Sequence, residues 1–283
     1  MPKIALVTDS TGSIPKDLVE KYNFIVAPQV LIWGDETFED GVNITPSEFY
    51  TRLKKTTVMP TTTQVTVAKF HEIYQALLAQ DYHILTIVIS AKLSGTLNSA
   101  LQARSMLPAD APIEIIDSNS TAMAMGFHLL TVARALEQGA TFPECVALAQ
   151  KARDHTGIFF AVDTLEFLHR GGRIGGATRF LGTMLNFKPI LELRDGRVEA
   201  IERVRTRGKS LSRIVELAVE QIGSRTPVRL SSLHANAPED ARFVLQEAST
   251  LLNPIETVFS EVSPVVGVHA GPGVVGIVYM AGM

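Results

Sequence analysis

Apolar positions follow two rhythms along this chain. In the first half, short unbroken runs of apolar and β-branched residues alternate with longer stretches in which apolar residues recur every three or four positions. Unbroken runs such as Lys3 to Val7 and His83 to Ser90 predict strands covered on both faces of a parallel sheet, because no alternation marks a wet face. Phe24 to Trp33 predicts another strand, and Ile113 to Ile116 one more between two long helical stretches. From about Thr66 to Gln80, Phe70, Ile73, Tyr74, Leu77 and Leu78 share one face at helical spacing. Pro15 suits the first turn of a helix running to about Tyr22. Thr45-Pro46-Ser47-Glu48 and Thr141 to Glu144 both match capping boxes, and the second opens a helix that ends near His155.

The rhythm changes near Gly157. Ile158 to Val162 predicts a strand. Lys188 to Leu193 and Arg197 to Val204 flank Asp195-Gly196, a two-residue hairpin signal. Helices near Lys209 to Ile222 and Pro238 to Leu252 separate strands at Val228 to Leu233 and Glu256 to Val262, and Val274 to Met280 supplies a final strand. The expectation is an α/β chain of two domains: residues 1–157 with a parallel sheet and flanking helices, and residues 158–283 with an antiparallel or mixed sheet and helices.

Composition sharpens this picture. The chain of 283 residues is 46% hydrophobic but only 19% charged and 7% aromatic, and its mean hydropathy is +0.18. No apolar run approaches the ~20 residues that cross a bilayer. The start, Met-Pro-Lys-Ile-Ala-Leu-Val-Thr-Asp, has too short an apolar segment for a signal peptide. The single cysteine, Cys145, excludes an intramolecular disulfide and a cysteine-based metal cluster. A net charge of −3 leaves no basic footprint for nucleic acid. The expectation is a cytoplasmic protein with an apolar excess to bury.

Several catalytic signatures nearly occur. Gly271-Pro272-Gly273-Val274-Val275-Gly276 has dinucleotide-site spacing but leads into a strand rather than a helix. Gly208-Lys209-Ser210 lacks the upstream glycine of a phosphate-binding loop, because Arg203 stands there. His71-Glu72 has Gln75 where a zinc protease needs histidine. Lys92-Leu93-Ser94-Gly95 is no nucleophile elbow. Three hydroxyl-rich segments remain: Thr8-Asp9-Ser10, Pro60-Thr61-Thr62-Thr63-Gln64 and Ser94-Gly95-Thr96. A helix cap accounts for any one of them alone. Together, at one sheet edge, they favour a small oxyanion. The second half adds cations on the loop Leu168-His169-Arg170-Gly171-Gly172-Arg173, on Arg205 to Arg207, and on His269 before a Gly-Pro-Gly turn. For these, solvated surface charge and a structural histidine are the plain alternatives.

Taken in order, these segments, with Ile116-Asp117-Ser118, Asp163 to Leu168, Lys188-Pro189-Ile190-Leu191 and Arg205-Thr206, resemble the DegV family of bacterial lipid-binding proteins across nearly the whole chain. One departure is Thr63-Gln64-Val65-Thr66, where that family commonly has Ser-Gln-Pro-Ser. The resemblance implies a two-domain fold with a long-chain fatty acid, such as palmitate, stearate or oleate, in an interior tunnel. It implies a carrier without its own cofactor, serving phospholipid metabolism, that presents the carboxylate to a separate ATP-binding fatty acid kinase subunit for acyl-phosphate formation. By that resemblance Thr62 and Ser94 bind the carboxylate. Thr61, Gly95 and Thr96 shape the pocket, Arg205 and His269 complete it, and Arg170 and Arg173 meet the kinase.

Two other readings stand beside the carrier. One is a hydrolase or acyltransferase using Ser94, Asp9 and His269. The other is a two-domain scaffold in which every hydroxyl turn is only a cap. The chain carries no nucleotide or Mg²⁺ signature for phosphoryl transfer of its own, which favours the carrier.

Overall fold

The computed structural model describes residues 3–181 and 187–283. In chain order the first half runs β1 (Lys3–Asp9), a 3-10 turn at Ser10–Gly12, α1 (Lys16–Lys21), β2 (Ile25–Ala27), β3 (Val30–Trp33), β4 (Glu36–Glu39), α2 (Pro46–Leu53), β5 (Thr61–Thr63), α3 (Val67–Leu78), β6 (Tyr82–Val88), α4 (Thr96–Ser105), β7 (Ile113–Asp117), α5 (Ala122–Glu137) and α6 (Phe142–His155). The second continues with β8 (Thr156–Ala161), α7 (Glu166–Arg170), a 3-10 segment at Gly175–Phe180, β9 (Lys188–Arg194), β10 (Arg197–Val204), α8 (Arg207–Ile222), β11 (Val228–His234), α9 (Pro238–Leu252), β12 (Glu256–Glu261), α10 (Pro264–Ala270) and β13 (Val275–Ala281).

These strands make three sheets. A parallel sheet has the order β2-β1-β6-β7, a six-stranded sheet the order β10-β9-β8-β13-β11-β12, and a small sheet the order β4-β3-β5. The six-stranded sheet is mixed, since β11 and β12 pair parallel and its other pairs are antiparallel. The chain is thus α/β, with a parallel and a mixed sheet.

Alternation along the central strands sorts the core into layers. In β6, Ile84 and Val88 face α3 and α4, whereas Leu85 and Ile87 join a central cluster. In β13, Val278 and Met280 join that same cluster, whereas Val275, Ile277 and Tyr279 pack with α8 and α9. The central cluster is built on α5, eleven of whose 16 residues are buried. A helix apolar on every side must be covered on every side, and α5 lies between the inner faces of the two large sheets. Its neighbour α6 adds Cys145, Ala149 and Ala152.

Local signals are realised where they are chemical. Both capping boxes form, at Thr45 with Glu48 and at Thr141 with Glu144. Asp195 and Gly196 adopt positive φ in the β9–β10 turn, as the twist of a two-residue hairpin demands. The run Phe24 to Trp33 is not one strand but two in different sheets. Pro28, which has no N–H for a ladder, breaks it, and the chain crosses at Gln29. Thr61 to Thr63 is an edge strand rather than a turn, with Thr62 opposite Leu31 of β3.

One buried carboxylate sits where the small sheet meets the second half. Asp40 follows β4, bridges to Ile44 and is 2% exposed. Burial pushes its pKa up to about 6, against a smaller lowering influence from the Ser10 and Ser263 hydroxyls and the Val265 N–H. Neither oxygen makes a well-formed hydrogen bond. A carboxyl with a folded-state pKa above its unfolded value stabilises the fold at low pH, and that contribution is lost as pH rises through about 6. Removing the charge therefore helps only on the alkaline side. Asp40→Asn is expected to gain on the order of 2 kcal/mol over the wild type near pH 7.5, with the gap closing below about pH 4. Thermal melts at both pH values check this, and a variant equally destabilised at both would show that the charge plays no part.

Candidate functional site

In an open parallel sheet, a ligand crevice forms beyond the strand ends where the chain reverses its direction of strand addition. Here that point lies between β1 and β6, which are neighbours although β2 was added on the other side. Thr11 follows β1, and Ile89, Leu93 and Ser94 follow β6. All four line a cavity of about 340 Å³. Its floor is the inner face of the mixed sheet, including Ile158, Phe160, Leu193, Val198 and Leu233, and Val265, Val266 and Ala270 close one side. Most of the wall is aliphatic, and its polar residues include Thr62, Ser94, Arg173 and His269.

His269 lies in the last turn of α10, and its Nε2 lies 2.7 Å from Thr62 Oγ1 on β5. Its Nδ1 is buried without a partner and faces Gly171 so closely that a Cβ there would sit 2.1 Å from it. Burial, and then the charge of Arg173, lower the His269 pKa to about 4, so the ring is neutral at pH 7. With Nδ1 unpartnered, a bare lone pair there costs less than a stranded N–H. That assigns the ring proton to Nε2, donating to Thr62 and leaving the threonine hydroxyl proton free for a ligand oxygen.

Arg173 extends from the glycine-rich loop after α7. Its Nε donates to Leu93 O at 3.0 Å and its Nη1 to Gly171 O at 2.6 Å. These carbonyls orient the guanidinium without neutralising it. No carboxylate among the described residues pairs with Arg173, so a net positive charge faces the cavity. Ser94 Oγ lies 2.9 Å from Thr96 Oγ1, just ahead of α4. Gly95 packs directly against the Gln64 amide: a Cβ there would fall 2.0 Å from Gln64 Oε1, so a larger residue would have to displace that side chain.

The cavity wall brings together Thr62, Ser94, Gly95, Arg173 and His269. Thr96 is fully buried behind the wall, where Gln29 Nε2 donates to its hydroxyl at 3.2 Å. Thr61 points to a second, outer pocket of about 260 Å³. Arg205 is exposed just ahead of the α8 N-cap Thr206 and does not line the cavity. Arg173 is half-buried and lines both the cavity and the outer pocket, which Arg170 also lines. Arg170 itself is exposed and ion-paired with Glu166 at 2.5 Å. The sequence reading missed Gln29, the one polar residue in the run Phe24 to Trp33 other than the breaking proline, and that interruption was its signal.

Asp9 is a brace. It accepts from Thr11 N at 2.9 Å, Thr11 Oγ1 at 2.5 Å, Gln29 Nε2 at 3.3 Å and Ile89 N at 2.8 Å, joining the ends of β1 and β6. Burial pushes its pKa up. No hydrogen bond links Ser94 to His269 or His269 to Asp9, so the hydrolase arrangement lacks its nucleophile–base–orienter chain. Thr62, Arg173 and His269 line both the inner cavity and the outer pocket, forming a thin polar partition between them. No helix among the described residues is long and apolar enough to cross a membrane.

Comparison with known proteins follows the same lines. A family model described as "Uncharacterised protein, DegV family" matches residues 3–282. A DegV domain-containing protein of Streptomyces coelicolor is 35% identical over 97% of both chains. Protein DegV of Bacillus subtilis is 33% identical over 97% of this chain and 98% of its own. A DegV family protein from Thermus thermophilus, described by its fatty acid binding, superposes with a TM-score of 0.93 at 33% identity over 99% of each chain. DegV of Bacillus subtilis, described as a fatty acid binding protein, superposes with a TM-score of 0.89 at 32% identity over 99% of this chain and 100% of that one. With matches running nearly end to end, the chain belongs to the DegV family.

Proposed function

We propose that this protein binds a long-chain fatty acid between its two halves, residues 1–157 and 158–283, and presents the carboxylate to a separate ATP-dependent kinase subunit that forms an acyl phosphate. The observation that carries the reading is an aliphatic cavity with an unpaired guanidinium, a neutral imidazole and two hydroxyls at one end. A palmitate-sized tail gains on the order of 11 kcal/mol gross from burial, at ~0.8 kcal/mol per methylene, part of which is lost in ordering it. A buried carboxylate needs donors and a counter-charge; Thr62 and Ser94 offer hydroxyl donors and Arg173 the charge, while His269 orients the Thr62 hydroxyl. The fatty acid binding described for the Thermus thermophilus and Bacillus subtilis relatives supports the same ligand class. The kinase step rests on the family resemblance. The outer pocket supports it by giving a second protein an approach to the partition, with Arg170 on its rim.

Mass spectrometry of the purified, denatured protein tests the ligand. About one fatty acid per chain is expected, and a protein that carries none and takes up none would overturn the reading. Acyl-phosphate formation on mixing with a kinase subunit and ATP, absent without either protein, tests the second step.

Head-group variants discriminate the clamp residues. Thr62→Ala and Ser94→Ala are each expected to weaken binding about tenfold, and Arg173→Gln by roughly 10- to 100-fold, because its bond is charge-assisted. Arg205→Ala is expected to leave binding unchanged. Displacement of a fluorescent fatty acid measures all four, and an Arg205 effect larger than the Arg173 effect would reverse the assignment.

Binding should also take up protons. The free-protein pKa of His269, about 4, lies below the ordinary imidazole value. In the free protein this favours the fold above about pH 6.5, a contribution lost as pH falls through about 4. An arriving carboxylate favours the imidazolium and raises that pKa, so the complex binds protons in the window above about 4. Calorimetry near pH 5.5 in buffers of different ionisation enthalpy should show net uptake that shrinks in His269→Gln. Equal uptake in both proteins would assign the proton to the ligand instead.

A further inference from the structure

Two voids meet at the far end of the cavity from the polar partition. Leu168, Arg173 and His269 belong to segments that follow the C-terminal end of β8 or precede the start of β13, and these two strand ends pair at Ala161 and Val275. Along β8 in the opposite direction, Phe160 and then Ile158 face the cavity. The next residue in that alternation, Thr156, no longer lines it. Its hydroxyl lies 2.9 Å from His128 Nε2, and it belongs to a separate cleft of about 390 Å³. Ile158 and Leu193 line both voids. Since Phe159 pairs with Glu192 in the antiparallel register, Ile158 and Leu193 stand opposite one another one step along it.

The cleft beyond them has a different chemistry. Ser118, Asn119, Arg153, Glu192, Arg194 and Gln221 line it. Arg153 Nε is buried there without a partner, and burial raises the pKa of Glu192. Such a lining holds water and offers an alkyl chain no dry contact. A tail that outgrew the inner cavity would gain nothing by entering it, and would forfeit about fourfold in affinity for each methylene left unburied.

We propose that Ile158 and Leu193 form a ruler: a partition one side chain thick that sets the acyl-chain length this protein accepts. The proposal rests on the fatty-acid reading above and adds to it the residues that decide among fatty acids. Leu193 is the better probe, because it is only half-buried, and changes there can be accommodated from the cleft side.

The test is a series of saturated straight-chain fatty acids from C12 to C20, ranked by displacement of a fluorescent fatty acid from the intact protein. For the wild type, affinity should climb with each added pair of carbons and then level or fall at one length. Leu193→Ala should move that break upward by about two carbons, raising the affinity ratio of the longer to the shorter acid across the break at least fourfold. Leu193→Phe should move it downward. Two opposite shifts in variants with unchanged circular dichroism support the ruler. A break at the wild-type length in both variants overturns it while leaving the lipid reading intact. A wild-type protein that binds none of the series overturns the lipid reading, and the ruler with it.

Discussion

The structure depends on how two apolar sheet faces are kept apart. The inner face of the parallel sheet and that of the mixed sheet both need cover, and α5 with α6 supplies it. A helix with its side chains is about 10 Å across, so α5 acts as a spacer of fixed thickness. It begins at Ala122, and Ala122 is also a cavity-wall residue. Past that point the sheets remain a helix apart with no helix between them. The cavity is thus the continuation of the α5 layer without its filler, and its aliphatic wall is made of the residues that would otherwise have packed on a helix.

The polar end has its own logic. A lone positive charge in such a wall is unfavourable unless its surroundings compensate it. Arg173 receives two backbone carbonyls, which are dipoles and not charges, and the imidazole beside it is kept neutral in part by Arg173 itself. The result is a site with one net positive charge and a hydroxyl proton free to turn. This suits a single carboxylate better than a dianion or a neutral head group.

Most of the fold was legible because its signals are local and chemical. Doubly covered strands read as unbroken apolar runs, the capping boxes formed where Thr45 and Thr141 announced them, and Asp195-Gly196 turned the hairpin. The small sheet was not legible. Thr61 to Thr63 contains no apolar residue, and its strand exists only because β3 offers an edge. The site was half legible. Thr62, Ser94 and His269 lie in motifs, but which arginine reaches the cavity depends on how the loop after α7 folds back over Leu93. That is a long-range contact with no periodic trace. Arg205 and Arg173 are equally basic in sequence, and only the backbone path separates them.

The complete burial of α5 bears on how the molecule comes apart. A chain with two large sheets would ordinarily be free to lose one and keep the other, melting in stages. Here the loss of either sheet strips one side of the same helix and exposes part of its buried surface, which includes Met123, Met125, Phe127 and Leu130. Neither sheet then retains a dry inner face of its own. The shared helix converts two separately covered sheets into one cooperative unit, so the transition should be single and steep, and partially open forms that expose the cavity should be rare.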